Sequence, residues 1–100
     1  MKQHNRTLLT VVAEAALEKL LVRDIGHFGA HVWTVGEVHG AVAEGVREGS
    51  WEADRTIEMK VVCEAAVAER IADHVMQTYA ANYGVAMYFS DVRVLRPAHF

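Results

Sequence analysis

The chain has 100 residues, of which 52% are hydrophobic and 23% charged, and its formal net charge is −3. This composition fits one globular domain and excludes a largely disordered chain. The negative charge argues against a broad phosphate-binding surface, so we expect no nucleic-acid partner. The apolar runs are shorter than the roughly 18 residues that a membrane-spanning helix needs. Residues 1–6 are polar and basic and do not resemble a secretion signal, so we expect a cytoplasmic protein.

An internal repeat defines the first predicted strand. The sequence VVAEAA at 11–16 recurs as VVCEAA at 61–66, and each copy runs into a helical pattern. Each copy therefore predicts a strand that leads into a helix. Glu14 and Glu64 occupy equivalent positions, where a carboxylate complements the helix dipole and needs no catalytic role. The lone Cys63 is predicted to be a small buried hydrophobe.

The first helix is predicted over about 15–26. Its apolar side chains recur at a spacing of three and four, and they are Leu17, Leu20, Leu21, Ile25 and Phe28. Gly29 is placed to end the helix. A second strand follows over 31–38, which is rich in Val, Trp and Thr. We interpret Trp33 in this strand as a core or interface residue rather than a platform for a ligand.

A long connection, Val38 to Arg55, precedes the third strand. A hairpin needs about two to five residues, and a longer loop is usually functional or mobile. The segment holds glycines, charged residues and the isolated aromatic Trp51. This composition is typical of a flexible partner-binding arm, with Trp51 and Arg55 as the candidate contacts. A merely tolerated insertion is the alternative.

The second half of the chain repeats the pattern of the first. Its helix carries the apolar residues Val67, Ile71, Val75, Met76 and Tyr79, and a last strand is predicted over 85–95. With right-handed crossovers, the order βαββαβ predicts an α+β ferredoxin-like sandwich: a four-stranded antiparallel sheet with two helices on one face and a long loop between strands 2 and 3. Both sides of the last strand carry apolar groups. We therefore expect further copies of the chain to cover the face without helices.

Short motifs along the whole chain match one known family. They are Val12-Ala13-Glu14, Gly29-Ala30, Trp33-Thr34-Val35, Glu69-Arg70-Ile71-Ala72-Asp73, Tyr83-Gly84-Val85 and Val94-Leu95. With the βαββαβ order and the long arm after the second strand, they make the chain resemble the PII-like signal-transduction proteins. The greatest likeness is to the branch associated with bicarbonate transport and carboxysomes. The resemblance implies a single domain over 1–100, with 38–55 as the flexible T-loop of that family.

The resemblance implies a homotrimer whose subunit clefts bind adenine nucleotides. It also implies a T-loop that contacts a protein target, such as a bicarbonate transporter or a carboxysome-linked protein. One wall of the cleft would come from the second strand and the loop base, at Thr34, Val35, Gly36, Glu37 and Gly40. The other wall would come from the neighbouring subunit and the turn before the last strand, here Tyr83, Gly84, Val85 and Ala86, with Met87 just beyond the turn. Gly36 and Gly84 would allow close backbone approach. The candidates for binding phosphates are Arg47, Arg93 and Arg96.

Departures from the family pattern bear on the ligand. The turn Asn82 to Ala86 lacks the glycine-rich basic sequence, with lysine, of classical members, which favours ADP or AMP over ATP. At the loop base, Val42-Ala43-Glu44 stands where the transporter-associated relatives have Gly-Ser-Arg, and Arg47 is the candidate substitute. The loop also lacks the modifiable tyrosine of nitrogen-sensing members. This points to a carbon-linked role, with bicarbonate as a second ligand.

Two other classes of function stay open on the residues alone, a small oligomeric ferredoxin-like enzyme and a ligand-independent interaction module. The sequence has no His-Glu-x-x-His, Gly-x-Ser-x-Gly or Walker motif. We therefore expect no catalytic residue, no metal site and no required cofactor, and we disfavour a metal pair of His27 and His31. The histidines are interpreted as surface or capping residues, and they are His4, His27, His31, His39, His74 and His99.

Overall fold

A computed structural model describes residues 1–39 and 55–100. The strands are β1 (His4–Glu14), β2 (Trp33–Val38), β3 (Thr56–Cys63) and β4 (Val85–Val94). The helices are α1 (Glu18–His27), which a 3₁₀ turn at Ala15–Leu17 precedes, and α2 (Ala65–Thr78); a second 3₁₀ turn covers Pro97–His99. No helix in these two described ranges has the length and apolar character needed to cross a membrane.

The four strands form one sheet in the order β2-β3-β1-β4, and every neighbouring pair is antiparallel. β1 lies in the interior of the sheet. It pairs with β3 from Thr7↔Cys63 to Glu14↔Thr56 and with β4 from His4↔Val94 to Ala13↔Val85. This order, with both helices packed on one face, confirms the predicted ferredoxin-like α+β fold.

One end of the sheet brings four chain segments together. β1 and β2 end there, at Glu14 and Val38, and β3 and β4 begin there, at Thr56 and Val85. We call this end the loop edge, because the chain leaves the sheet there after Val38 and returns at Thr56. The opposite end carries Cys63 and Val94.

The core lies between the sheet and the helices. Alternate residues of a strand face the same side, and the buried apolar residues of β1 and β3 all have odd numbers: Leu9, Val11, Ala13, Ile57, Met59, Val61 and Cys63. The helices contribute Leu21 and Ile25 from α1 and Ile71 and Val75 from α2. Full burial of each large side chain contributes about 1.5–3 kcal/mol to folding.

Cys63 is buried at the end of β3, as predicted. Burial disfavours the thiolate, and the neighbouring charge of Glu64 disfavours it further. Together they raise the pKa of the Cys63 thiol. The thiol is therefore protonated and hidden at neutral pH.

The even-numbered face of the sheet carries apolar side chains beside the ion pair of Lys60 and Glu58, and neither described helix covers it. Leu8, Val12 and Val62 are half-buried there, and Tyr88 is 52% exposed. Thr10, between Tyr88 and Lys60 in the ladder, is almost fully buried, and its hydroxyl has no hydrogen-bond partner among the described residues. A face of this kind is the surface on which the expected association of copies depends.

The helix boundaries and faces follow the sequence pattern with two differences. Gly29 ends α1 as predicted: its φ is +88°, and its amide donates to the Gly26 carbonyl at 3.1 Å. The first turn, however, is 3₁₀ rather than α-helical. Met76 is 56% exposed, so its predicted place on the buried face of α2 is wrong. The reason is that it lies about 100° around the helix from buried Val75.

A buried carboxylate joins the two helices. Asp24 of α1 is only 4% exposed. His74 Nε2 of α2 lies 2.9 Å from its Oδ2, and the Tyr79 hydroxyl donates to the same oxygen. Arg23 donates to Oδ1 through Nε at 3.1 Å and Nη2 at 3.0 Å. The interpretation of His74 as a surface or capping residue is therefore wrong, because it is a half-buried partner of an acid.

The pKa of Asp24 reflects two opposing effects. Burial alone would raise it, but the hydrogen bonds from Tyr79, His74 and Arg23 favour the carboxylate. Together they lower the pKa below its ordinary value of 3.8. Burial, and then the hydrogen bond to Asp24, raise the pKa of Tyr79, which stays a neutral donor. The carboxylate thus accepts hydrogen bonds from both helices at neutral pH.

We expect Asp24→Asn to lower the free energy of unfolding by about 2 kcal/mol at pH 7, because the charged acceptor of three side chains is lost. A lowered folded-state pKa means that the Asp24 contribution is fully present above the unfolded pKa and is lost as pH falls through the folded value. The difference between wild type and variant should therefore shrink below about pH 4. Urea denaturation across this pH range measures it.

Asp73→Asn, an exposed change on α2, is the matched control and should leave stability within about 0.5 kcal/mol of wild type. Equal losses for the two variants would contradict the role of Asp24.

Candidate functional site at the loop edge

The β2 wall of the predicted site lies on an outer strand of the sheet. Thr34, Gly36 and Glu37 are exposed, and Val35 is half-buried against the core. A Cβ added at Gly36 would meet no heavy atom of this chain within 4 Å, so packing within the chain does not require a glycine there. The wall therefore offers a short stretch of accessible backbone to whatever approaches β2.

The second wall, which consists of the turn before β4 and the first residues of β4, is more buried than the β2 wall. Gly84 is buried, and its neighbours Tyr83, Val85, Ala86 and Met87 are half-buried. The amide of Tyr83 donates to the Tyr79 carbonyl at 3.0 Å, which fastens the turn to the end of α2. The tight turn keeps this wall in a fixed position relative to the core.

Glu14, at the end of β1, holds that turn from the other side. Its amide donates to the Gly84 carbonyl at 3.2 Å, and its carboxylate accepts a hydrogen bond from the Gly84 amide. The side chain is 2% exposed. Glu14 lies at the N-cap of the 3₁₀ turn, where the sequence placed it, and it has a further role beyond complementing a helix dipole. The carboxylate binds a turn that is distant in sequence, whereas Glu64, its counterpart in the repeat, is exposed.

The same end of β1 also contacts the loop base. The Ala15 amide donates to the Arg55 carbonyl at 2.9 Å. The Arg55 Nε lies 3.5 Å from Glu37 Oε1, and the two side chains are 77% and 57% exposed. An exposed pair of this kind contributes at most about 1 kcal/mol to stability. Both groups stay accessible at the point where the chain leaves and rejoins the sheet.

A row of aromatic rings includes His74 and Tyr79, the partners of Asp24, and reaches Tyr83 in the turn before β4. Ring centroids are 5.4 Å apart for Phe28 and His74, 5.9 Å for His74 and Tyr79, and 6.5 Å for Tyr79 and Tyr83. The last two pairs meet edge to face, which is a favourable geometry for aromatic rings. These ring contacts extend from the end of α1, past the end of α2, to the turn before β4.

The two walls do not meet within one chain. β2 and β4 are the outer strands, and β3 and β1 lie between them. Three spacings between strands separate the walls by about 14 Å, although both lie at or close to the loop edge. A cleft that uses both walls therefore needs a second copy of the chain.

The remaining predicted site residues lie elsewhere. Arg93 is near the far end of β4, about 26 Å along the strand from Val85, and the exposed Arg96 follows that strand. Gly40, Arg47 and Trp51 lie outside the described residues, and so does all of the segment 38–55 except its ends. In the two described ranges, no three His, Cys, Asp or Glu side chains are grouped to hold a metal ion.

Comparison with protein-family models identifies the family. The model for nitrogen regulatory protein P-II matches residues 6–99. The chain belongs to the P-II family. This assignment confirms the PII-like resemblance. A search of curated proteins gave no match.

Solved structures agree with the P-II assignment. A protein of Thermus thermophilus described as PII-like and signalling is 31% identical, with a TM-score of 0.83 and coverage of 100% of this chain and 99% of that one. CPII from Thiomonas intermedia, bound to ADP, AMP and acetate, is 14% identical, with a TM-score of 0.85 and coverage of 100% and 98%. CPII bound to ADP and bicarbonate is 18% identical, with a TM-score of 0.82 and coverage of 99% and 97%. The likeness to CPII is one of fold.

Proposed function

We propose that this P-II family protein is a regulator that binds an adenine nucleotide, ADP or AMP in preference to ATP, in clefts between its subunits. Bicarbonate is the proposed second ligand. The T-loop, residues 38–55, reports the ligand state to a protein target linked to inorganic carbon, such as a bicarbonate transporter or a carboxysome-linked protein. The proposed setting is the cytoplasm, and the protein catalyses no reaction.

The observation that carries the proposal is the placement of the two walls. The β2 and β4 walls belong to opposite edges of the sheet, yet both lie at or near the loop edge. If the β2 edge of one copy meets the β4 edge of the next, the contact is head-to-tail and can close into a ring. Three copies would give three equivalent clefts. The sheet face without helices, on which Tyr88 is exposed, would be covered in that ring.

The choice of ligand rests on chemistry and on CPII. An adenine ring needs a flat apolar slot with backbone donors and acceptors at its edge. The accessible backbone of Thr34 to Glu37 meets that need at one wall, and half-buried Val85 and Met87 supply apolar surface at the other. CPII, which shares the fold, is bound to ADP and AMP and to bicarbonate in solved structures.

The connection to the T-loop follows from adjacency. Thr34 to Glu37 lead directly into the loop, and Glu37 pairs with Arg55 at the loop's other end. A ligand bound at the β2 wall would therefore lie close to both ends of the T-loop. Arg55, which is well exposed, and Trp51 are the proposed contacts with the target.

The first test is calorimetric titration of AMP, ADP and ATP, with and without bicarbonate, alongside sedimentation to give the oligomeric state. We expect about one nucleotide per chain in a trimer, tighter binding of ADP or AMP than of ATP, and an affinity that bicarbonate alters. No binding of any nucleotide at millimolar concentration would favour the interaction module instead. A stable monomer at micromolar concentration would contradict the cleft between subunits.

Gly36→Ala tests the β2 wall. Nothing in the described chain opposes the added methyl group, so folding should be unchanged, whereas a ligand or subunit that approaches this backbone would be pushed away. We expect about tenfold weaker ADP binding, since losing close contact costs about 1.4 kcal/mol. Gly26→Ala is the matched control, because its Cβ also meets nothing within 4 Å but lies on α1. Equal affinities of the two variants for ADP would remove Gly36 from the site.

Arg47→Ala tests the proposed phosphate contact from the loop. A guanidinium favours phosphate-bearing ligands through charge-assisted hydrogen bonds. We expect the variant to weaken ADP binding at least about tenfold while adenosine binding changes less than about twofold, as measured by titration. The same loss for ADP and adenosine would mean that the phosphate site lies elsewhere.

A further inference from the structure

We propose that the end of the sheet opposite the loop edge holds a second small-molecule site, which takes a free amino acid, a small zwitterion with one carboxylate and one ammonium group. The site is a cavity where the N-terminus of α2, a buried hydroxyl of β1 and an exposed carboxylate of β4 come together. The inference goes beyond the proposed function and does not depend on it, because the two walls lie at the other end of the sheet.

The cavity is the first observation. It has a volume of about 350 Å³, which lies within the usual range for small-molecule sites, and it is lined by Asn5, Arg6, Thr7, Ala65 and Asp91. Thr7 is an odd-numbered residue of β1, so its side chain is on the face that carries the helices. Asp91 is its direct partner in β4 and lies on the same face. The cavity therefore lies between the sheet and the start of α2.

The first turn of α2 offers amide donors at the cavity. The Ala68 amide donates to the Glu64 carbonyl at 3.0 Å and so makes the first hydrogen bond of the helix. The amides of residues 65–67 precede that bond and have no partner within α2. Glu64 is the N-cap residue, but its side chain does not cap the helix, and the first turn has no acidic residue. A ligand carboxylate would be stabilised there by the amides and by the helix dipole.

The Thr7 hydroxyl is an independent sign of a ligand. Thr7 is only 8% exposed, and its hydroxyl has no hydrogen-bond partner among the described residues. In the two described ranges, the Thr10 hydroxyl is the one unpaired polar group of a side chain that is fully closed off from solvent. The Thr7 hydroxyl is therefore open to the cavity that Thr7 lines. A ligand oxygen in the cavity would supply the missing hydrogen bond.

Asp91 gives the other side of the cavity a negative charge. It is exposed, and it has no ion-pair partner among the described residues. Exposed Glu64 adds a second carboxylate at this end of the sheet. An anion alone would be repelled by these carboxylates, and a cation alone would be repelled by the helix N-terminus. A molecule with one group of each charge complements both sides.

The basic side chains nearby do not take the place of the ligand's ammonium group. The guanidinium of Arg6 donates to three main-chain carbonyls, and these are Asn5 at 2.8 Å, Phe100 at 3.1 Å and Pro97 at 3.2 Å. Arg93 is exposed two residues beyond Asp91 and makes no ion pair with it. The Asp91 carboxylate is therefore available to a cationic group of the ligand.

The experiment is a titration of isotope-labelled protein with glycine and L-alanine, followed by the NMR shifts of backbone amides. Acetate and methylammonium, which each carry one half of the zwitterion, are titrated separately. We expect saturable shifts at Thr7, Ala65 and Ala66, and binding of either half at least about tenfold weaker than that of glycine. The amides of Gly36 and Gly84 should not shift, which separates this site from the nucleotide cleft.

Two variants test the two sides of the cavity. Thr7→Val keeps the shape of the side chain without its hydroxyl, and it should weaken glycine binding about tenfold. Asp91→Asn should weaken glycine binding about threefold and strengthen acetate binding, because the repelling charge is gone. The matched controls are Thr10→Val, on the opposite face of β1, and Asp73→Asn, on the exposed side of α2. Both should bind glycine within about twofold of wild type.

Three outcomes would overturn the inference. Acetate that binds as tightly as glycine means that the cavity takes an anion and not a zwitterion. Glycine affinity that is the same in Thr7→Val and Thr10→Val removes the hydroxyl from the site, and the surface change Asp91→Asn decides if Thr7→Val does not fold. No saturable shift with either amino acid at millimolar concentration removes the site altogether. None of these results bears on nucleotide binding, which its own titration tests.

Discussion

The pairing of β1 between β3 and β4 is the constraint on which the rest of the structure depends. Because β1 is interior and antiparallel to both neighbours, its last residue, Glu14, lies beside the start of β3 and the turn that leads into β4. The loop base and the turn are thereby fixed at one edge, while β2 and β4 stay at opposite sides. A shift of β1 by one residue would turn Leu9 and Val11 away from the helices and separate Glu14 from Gly84.

Much of the fold is predictable from the sequence because its signals are local or repeated. The duplicated VVxEAA segments mark both junctions of a strand with a helix, and the spacing of Leu21 and Ile25, or of Ile71 and Val75, gives the buried face of each helix. Handedness rules then leave few ways to arrange the strands. Gly29 ends α1 for a reason visible in one residue, its tolerance of positive φ.

The missed residues depend on contacts between distant parts of the chain. Asp24 falls within the apolar stripe of α1, three residues after Leu21, and this position indicates a buried acid. Its partner Tyr79, however, lies 55 positions away in the sequence. Glu14 and Glu64 are equivalent in sequence, and only the antiparallel arrangement of β1 and β3 puts them at opposite ends of the sheet. The segments that form the candidate site are predictable from the residues, but their placement on the two opposite outer strands of the sheet is not.

The hidden thiol of Cys63 has a practical consequence for following this protein in solution. It is the only cysteine in the chain, and it is buried and protonated at neutral pH. Maleimide and other thiol reagents need an accessible thiolate, so they should react slowly with the native protein. A cysteine introduced at an exposed position near the loop base could therefore carry a single fluorophore or spin label without removal of the natural one.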